Sequence, residues 1–337
     1  MKLYKYTSYN IGKEIISTSK IALSPPQTFN DPFDCLPIWS QEDIDKAYDY
    51  IFDFVAEKQF IALLEDIKNN LQKRGQRLLV SFVLGEYKLV AKLARLKPGA
   101  YRPAFSMKKW LRIIEHHKLS EEQTLVKNEL IALSNPKNEK AMEIVSRILD
   151  LRNSLYVGCL SSQFDSILMW AYYGQNHKGL CLEIELEDDK EHSFPVVYQE
   201  DRPSIKAQRF IEEMCGRFVA GYETEQISKD TVLQQLVSQP YVTKSKEWEH
   251  EQEHRLIYTE KELIGKGVDK VMCNDGIERY MFPISKITKI YLGAAMSDKQ
   301  KAEIRSIIPS DIEIVEMKIS NTKYELLTQQ TRSNHHG

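Results

Sequence analysis

The sequence predicts an α+β fold in which a split mixed β-sheet core is interrupted by a helical insertion. Strand-like runs occur at both ends of the chain, whereas residues 41–152 carry apolar side chains at helical spacing. Because strands must pair, the simplest packing joins residues 1–38 and 154–325 in one core domain. We therefore expect residues 41–152 to form a helical insertion and residues 326–337 a flexible tail.

The first 38 residues are predicted to form a strand, a helix, a second strand and a turn. Leu3 to Tyr6 alternates as a short strand, Asn10 caps a helix over 11–19, and residues 21–23 resume a strand. Residues 24–34 are dense in proline, asparagine and aspartate, which favour turns and cannot continue a ladder.

The middle of the chain is predicted to be helical throughout. Apolar residues recur at helical spacing from Ile51 to Ile67, and prolines at 98, 103 and 136 separate the later helices. These further helices are predicted around residues 75–96, 106–117, 121–133 and 138–151.

Strand patterns return after residue 154. Residues 155–161 form a strand, Asp165 caps a short helix over 166–173 that Gly174 ends, and residues 180–185 form the next strand. The remaining predicted elements are strands at 196–198, 247–258, 289–292 and 312–317, and helices at 203–238 and 297–307.

Composition excludes several classes of protein. Hydrophobic residues make up 42% of the 337 residues and the formal net charge is −2, which is typical of a globular chain without a global attraction to nucleic acid or membranes. The first residues lack the apolar stretch of a signal peptide, and no apolar run is long enough to span a bilayer. Five scattered cysteines without a CxxC pair indicate reduced core thiols in a cytoplasmic protein.

Four separated motifs resemble the bacterial domain of unknown function 2971 family. Leu3-Tyr4-Lys5-Tyr6 precedes the turn Phe29-Asn30-Asp31-Pro32-Phe33-Asp34, and the other motifs follow in the family's order. One position departs from the family, which usually carries arginine where this chain has Thr7. The later motifs are Cys159-Leu160-Ser161 with Leu168 to Tyr173 and His177-Lys178-Gly179, then Tyr198 with Arg202-Pro203, and then Trp248 with Glu251 to Arg255.

The order of these elements is also similar, more weakly, to the ADP-ribosyltransferase superfamily. That resemblance implies a split sheet of the ADP-ribosyltransferase type, NAD as a substrate and a macromolecule, nucleic acid or protein, as acceptor. It implies that Glu253 stabilises a ribosyl cation and that Glu251 positions or deprotonates the acceptor. Such transferases commonly act in bacterial conflict, as toxins or in phage defence. The residues that would line the NAD pocket are Tyr6, Thr7, Asn30, Ser161 and Tyr172.

The residue types suit this chemistry. Cleavage of the nicotinamide–ribose bond develops an oxocarbenium-like charge, which a fixed carboxylate stabilises. Two residues apart on a strand, Glu251 and Glu253 point to the same face, and mutual repulsion raises the pKa of at least one of them. A tyrosine ring can stack on nicotinamide, and a serine hydroxyl can bond its amide.

Structural interpretations of the same residues remain open. The alternating glutamates at 247–253 are also typical of the solvated face of an edge strand. Trp170, Tyr172 and Tyr173 on a helix are typical of a core, and Asn30-Asp31-Pro32 is typical of a turn.

The segment His250-Glu251-Gln252-Glu253-His254 satisfies the HExxH pattern of zinc hydrolases, which requires a helix. We predict a strand here, which separates His250 and His254 by about 13 Å, too far to share one zinc ion. The zinc hydrolase is therefore the third of the functional alternatives.

A basic stretch supports a second alternative, a non-catalytic module that binds nucleic acid or an acidic protein. No acidic residue occurs between 88 and 112, and Tyr101, Phe105 and Trp110 are interspersed with the cations, a pattern that can hold phosphates and stack bases. The same stretch is also typical of exposed faces of helices whose Leu89, Leu93 and Leu96 face a core. The cations are Lys88, Lys92, Arg95, Lys97, Arg102, Lys108, Lys109 and Arg112.

Overall fold

The computed structural model describes residues 2–38, 40–70, 74–102, 150–186, 192–223 and 231–330, with isolated positions at 118, 120, 121, 124, 128, 143, 146, 147 and 226. The chain divides into two compact units. Unit 1 comprises Met1–Leu36, Arg152–Arg202 and Tyr241–Gly337, and unit 2 comprises Pro37–Leu151 and Pro203–Pro240.

The described helices occur in both units. They are α1 Tyr9–Thr18, α2 Gln41–Asn70, α3 Arg74–Ala94, α4 Ile167–Tyr172, α5 Ala207–Ala220, α6 Thr231–Ser238, α7 Glu260–Gly265 and α8 Asp298–Ile307. Short 3₁₀ helices lie at Pro26–Thr28, Pro98–Ala100, Asp150–Ser154, Gln239–Tyr241 and Lys246–Glu251.

Unit 1 is built on a mixed β-sheet, which confirms the predicted α+β class. Its strands are β1 Lys2–Thr7, β3 Leu155–Ser161, β4 Leu180–Glu185, β5 Ser193–Pro195, β8 Glu253–Thr259, β11 Lys286–Leu292, β12 Glu313–Ile319 and β13 Leu326–Gln330. Within the described residues their order is β13-β12-β11-β4-β1-β3-β8-β5, with only β11 and β12 running parallel. Both ends of the chain thus contribute adjacent strands.

Two smaller sheets complete unit 1. One joins β2 Lys20–Leu23, β10 Glu278–Pro283 and β9 Lys270–Met272 in that order. The other pairs β6 Val197–Gln199 in parallel with β7 Thr243–Ser245, and places Tyr198 beside Lys244.

The two faces of the large sheet have different characters. On one face, alternate residues such as Leu3, Leu160 and Leu182 enter a hydrophobic core. On the other face, Tyr4, Ser161 and Glu253 stand in one row, because Tyr4 pairs with Ser161 and Ser161 pairs with Glu253. This second face is therefore partly polar.

Helix α1 begins two residues before the predicted start. Ser8 occupies the N-cap position, and the Tyr9 amide donates to Gln175 Oε1. At the other end Ser19 adopts a left-handed conformation with φ of 52°, which ends the helix.

Unit 2 is helical in its described part. Tyr101 is buried with Ala94 and Val219, and its hydroxyl donates to Glu57 Oε2 at 2.7 Å. Tyr101 is therefore a core residue and not an exposed base-stacking ring.

Gly216 allows α5 to approach Pro98, because a Cβ at residue 216 would lie 1.9 Å from the Pro98 carbonyl oxygen.

The structure differs from three of the predicted boundaries. Residues 203–240 belong to the helical unit, which is larger than the expected insertion at 41–152. Residues 326–330 form β13 instead of a tail, because the exposed edge of β12 offers backbone partners to them. Residues 246–251 form a 3₁₀ helix, so the predicted strand at 247–258 begins only at Glu253.

Within the described part of the chain, no helix combines the length and hydrophobicity needed to cross a bilayer.

Candidate functional site

A buried arginine organises the polar side of the large sheet. Arg255 on β8 has no solvent exposure, and its Nε and one terminal nitrogen donate to the two carboxylate oxygens of Glu253 at 2.8 and 3.0 Å. The same guanidinium contacts the Asp34 carboxylate at 2.8 Å and donates to the Tyr241 carbonyl at 2.6 Å. Such bidentate, charge-assisted bonds fix the orientation of both carboxylates.

A buried lysine links three carboxylates. The Lys244 ammonium lies 2.6 Å from Glu251 Oε2, 3.4 Å from Glu253 Oε2 and 3.4 Å from Asp34 Oδ2. All four side chains are at least nine-tenths buried. We call Asp34, Lys244, Glu251, Glu253 and Arg255 the acidic cluster.

A local turn places the Asp34 carboxylate beside Lys244 and Arg255. Asp31 Oδ1 accepts from the Phe33 amide and the Asp31 carbonyl accepts from the Asp34 amide, which is a turn of the type that an aspartate before proline favours. Cys35 follows with φ of 51°, in the left-handed region. The segment Asn30-Asp31-Pro32 is thus a turn, as one of the two interpretations held.

A second turn brings Glu251 and Glu253 together. The Ser245 hydroxyl caps the 3₁₀ helix Lys246–Glu251, and Gln252 then adopts φ of 45° before β8 begins. Ser161 holds this turn, because its hydroxyl donates to the Glu251 carbonyl at 2.7 Å.

The two glutamates have opposite electrostatic environments. Burial opposes ionisation of Glu253, but the Arg255 charge and hydrogen bonds outweigh it, together with Lys244, and lower the pKa of Glu253 to about 2. Burial raises the pKa of Glu251, and the bonds from Lys244 and Tyr173 only partly offset it. Glu253 is therefore a fixed anion, whereas Glu251 is the carboxyl group that can take up a proton.

Aromatic residues lie between the acidic cluster and the solvent. The Tyr173 hydroxyl donates to Glu251 Oε1 at 2.6 Å, and the exposed Asn30 amide donates to the Tyr173 oxygen at 3.3 Å. The Trp248 ring centroid lies 4.8 Å from the Lys244 ammonium, and the Tyr198 hydroxyl accepts from the Glu253 amide at 2.7 Å. Tyr173, Tyr198 and Trp248 are all partly exposed, and we call them the aromatic rim.

Four of the predicted site residues lie together in this region. Glu251 and Glu253 are in the acidic cluster, Ser161 holds the Glu251 backbone, and Asn30 reaches the cluster through Tyr173. Their proximity depends on a three-dimensional arrangement of β3, β8 and the turn before residue 35.

The other three predicted pocket residues lie elsewhere. The Tyr6 hydroxyl donates to the Gln163 carbonyl and its ring packs edge-on against the buried Trp170, so Tyr6 is a core residue. Thr7 is buried against Gly12 of α1. Tyr172 is 63% exposed and its ring contacts that of His250, because the short helix α4 turns Trp170 and Tyr173 inward and Tyr172 outward.

Sequence reasoning missed Asp34 and Lys244, and it preferred Tyr172 to Tyr173. Asp34, Tyr198 and Trp248 all occur in the motifs that carry the family resemblance. Their place in those motifs was a signal that could have identified them. Lys244 follows Tyr241, Val242 and Thr243, residue types that are typical of a half-buried strand, and a lysine that is buried there needs an ion-pair partner.

The HExxH segment does not form a zinc-binding helix. His250 lies in the 3₁₀ helix with Nδ1 3.1 Å from the Glu247 carbonyl, while His254 lies on β8 with Nε2 2.8 Å from the Ser193 hydroxyl. The carboxylate of Glu251 is held by Lys244 and Tyr173. No cluster of three potential ligands from His, Cys, Asp or Glu is present in the part of the chain that the structure describes.

The described part of the basic stretch is exposed. Lys88, Lys92, Arg95 and Lys97 all face solvent, whereas Arg102 pairs with Glu212 at 2.8 Å. Lys108, Lys109 and Arg112 lie outside the described residues. Of the leucines between the cations, Leu89, Leu93 and Leu96 are exposed by 58, 55 and 84%, so the interpretation that they face a core is wrong.

One family model matches this chain. It describes a protein of unknown function, DUF2971, and it matches residues 169–256, which include Tyr173, Lys244 and both glutamates of the acidic cluster. This finding supports the resemblance to that family over well under half of the chain. Searches of curated proteins and of solved structures gave no match.

Proposed function

We propose that unit 1 is an enzyme of the ADP-ribosyltransferase type, which cleaves the nicotinamide–ribose bond of NAD and transfers the ADP-ribosyl group to a macromolecule. The observation that carries the proposal is the acidic cluster, in which two glutamates two residues apart have pKa values shifted in opposite directions. Pairs of carboxyl groups whose pKa values are shifted apart in this way are typical of acid–base sites in glycosyl chemistry.

The charge balance of the cluster favours a cationic transition state. Asp34, Glu251 and Glu253 supply three negative charges against the two positive charges of Lys244 and Arg255, so ionised Glu251 leaves the cluster with one negative charge in excess. This excess charge favours an oxocarbenium-like centre that develops at the aromatic rim. A protonated Glu251 cancels it.

The proposal gives the two glutamates different roles from those expected from the sequence. Arg255 neutralises Glu253 by a bidentate contact, so Glu253 supports the site by orienting Lys244 and Arg255. Glu251 is the carboxylate adjacent to the rim, and the proposal therefore gives it the proton transfer. The rings of the aromatic rim provide faces on which nicotinamide can stack.

Backbone strain beside the cluster supports a functional role. Cys35 and Gln252 both have positive φ values and directly follow Asp34 and Glu251. For residues other than glycine this conformation costs roughly 1–2 kcal/mol each, and such strain concentrates at functional sites.

The test is release of labelled nicotinamide from NAD by the intact protein and by Glu251→Gln and Glu253→Gln. Glu251→Gln should lose at least on the order of 100-fold in rate, the usual contribution of a general acid or base. The matched control is Glu249→Gln, since Glu249 lies on the same 3₁₀ helix but is exposed, and it should release nicotinamide at the wild-type rate. Equal nicotinamide release by the Glu251 and Glu249 variants would refute the proposed role of Glu251. An absence of nicotinamide release by the wild type would refute the proposed reaction.

A second candidate function, nucleic-acid binding by unit 2, is favoured by the exposed cations of α3 and the residues after it. Among the described residues, Lys88, Lys92, Arg95 and Lys97 are exposed and make no ion pair. Binding through them should weaken steeply with salt, and Lys88→Ala/Lys92→Ala should lower the slope of log K against log salt by about 1.8 for duplex DNA. A slope that the substitutions leave unchanged contradicts this function.

A further inference from the structure

The carboxylate of Glu251 has no free approach from solvent. It is 3% exposed, Oε2 is held by the Lys244 ammonium at 2.6 Å, and Oε1 accepts from the Tyr173 hydroxyl at 2.6 Å. A macromolecular acceptor therefore cannot touch Glu251 without displacing one of these partners. The partner on the solvent side is Tyr173.

Tyr173 joins the buried carboxylate to the surface. Tyr173 directly follows α4 in the chain. Its hydroxyl donates a hydrogen bond to Glu251, and the oxygen of the same hydroxyl accepts one from the exposed Asn30 amide. A hydroxyl that donates inward and accepts from outside is arranged as the middle of a proton path.

We propose that Tyr173 is the catalytic residue through which Glu251 receives the proton of the acceptor, an inference that rests on the proposed transfer reaction. The acceptor takes the place of the Asn30 amide at the Tyr173 oxygen and gives that oxygen its proton. The Tyr173 proton moves at the same time to Glu251 Oε1. The acceptor atom bonds to the ribose carbon, and the electron pair of the broken carbon–nitrogen bond leaves with nicotinamide.

Two features favour a coupled transfer of the two protons, from the acceptor to Tyr173 and from Tyr173 to Glu251. Burial and the bond to Glu251 raise the pKa of Tyr173, so a tyrosinate does not persist between the two steps. Burial also raises the pKa of Glu251, which makes it a stronger base than an exposed glutamate.

The groups that face Glu251 come from several elements. Lys244 on β7 and Tyr173 contact it, Glu253 on β8 repels it, and Tyr198 on β6 lies within electrostatic reach. Lys244 is the positioning residue, because its ammonium fixes Oε2 and leaves Oε1 for Tyr173.

The first experiment follows the titration of Glu251 by carboxyl NMR without NAD. Because the Tyr173 hydroxyl donates to the ionised form, Tyr173→Phe should raise the pKa of Glu251 by roughly one to two units. Tyr172→Phe is the matched control, since Tyr172 is exposed and contacts His250, and it should leave the titration unchanged. An unchanged titration in Tyr173→Phe overturns the proposal.

The second experiment compares wild type and Tyr173→Phe in transfer of ADP-ribose from NAD to water, the simplest acceptor, as a function of pH and of the D₂O fraction. We expect transfer to fall on the order of 100-fold with KM for NAD unchanged, and the dependence on D₂O to change from two protons in motion to one. Wild-type transfer by Tyr173→Phe with the same dependence on D₂O overturns the proposal. If the wild type leaves NAD intact, the transfer reaction fails, and the titration decides the Tyr173–Glu251 pairing separately.

Discussion

Replacement of Arg255 by methionine should be among the most destabilising single changes in unit 1. The substitution keeps a long apolar side chain but removes the guanidinium that neutralises Glu253 and Asp34 and donates to the Tyr241 carbonyl. Both carboxylates then remain buried with only Lys244 to compensate them. Removal of one partner of a buried ion pair costs about 3–5 kcal/mol.

The depressed pKa of Glu253 gives an order-of-magnitude figure for the stabilisation that Arg255 and Lys244 supply together. It lies at about 2 against an ordinary value of 4.5, a difference of about 2.5 units, which at 1.36 kcal/mol per unit corresponds to roughly 3 kcal/mol. Because the folded pKa is depressed, this stabilisation is complete well above pH 4.5 and is lost as the pH falls toward 2. At pH 3 only part of it remains.

Urea unfolding of wild type and Arg255→Met at pH 7 and pH 3 measures the effect. We expect a loss of about 3–5 kcal/mol at pH 7 that shrinks at pH 3. Arg147→Met is the matched control, because Arg147 forms an ion pair with Glu143 one helical turn away and is 78% exposed. That control should lose less than about 1 kcal/mol. A loss of the same small size in Arg255→Met, or a loss independent of pH, refutes the reasoning.

Three further predictions concern packing and reactivity. Ser161→Ala removes the donor to the buried Glu251 carbonyl and should cost about 1–3 kcal/mol in urea unfolding, whereas Ser17→Ala on the exposed face of α1 should cost less than about 0.5 kcal/mol. Gly216→Ala should lower the melting temperature because the new Cβ meets the Pro98 carbonyl, while Gly85→Ala in α3, which has no neighbour within 4 Å, should raise it; the opposite order contradicts the packing of α5. Burial raises the pKa of Cys35 to about 12, so Ellman's reagent at pH 8 should modify the partly exposed Cys273 in the native protein and leave Cys35 unmodified until unfolding, a pattern that Cys273→Ser would abolish.

The sequence was informative about the two strands that carry or adjoin Ser161 and the glutamates. Alternation over 155–161 and from Glu253 onward predicts β3 and the main part of β8, and the two-residue spacing predicts that Glu251 and Glu253 act together. The structure keeps that pairing although Glu251 lies in a 3₁₀ helix, because both carboxylates converge on Lys244. The resemblance to a family of unknown function also came from motifs that are local in the chain.

Other assignments failed because they depended on the direction in which a helical side chain or its neighbour points. Tyr172 ends α4 and Tyr173 follows it, so the sequence does not tell the two tyrosines apart. In the fold Trp170 packs inward against Tyr6, the Tyr173 hydroxyl reaches Glu251 and Tyr172 faces the solvent. Similarly, Leu89 and Leu93 have the spacing of a buried stripe but are exposed.

The sequence by itself determined the α+β class, most strand positions and the two-residue spacing of Glu251 and Glu253, since these depend on periodicity and on neighbours in the chain. Only the tertiary structure brought Asp34 to within 3.4 Å of Lys244, although more than two hundred residues separate them in the chain. The reason is physical: the stabilisation of a buried charge comes from whichever opposite charge the fold places within about 4 Å, and the pairing order of distant strands sets that distance.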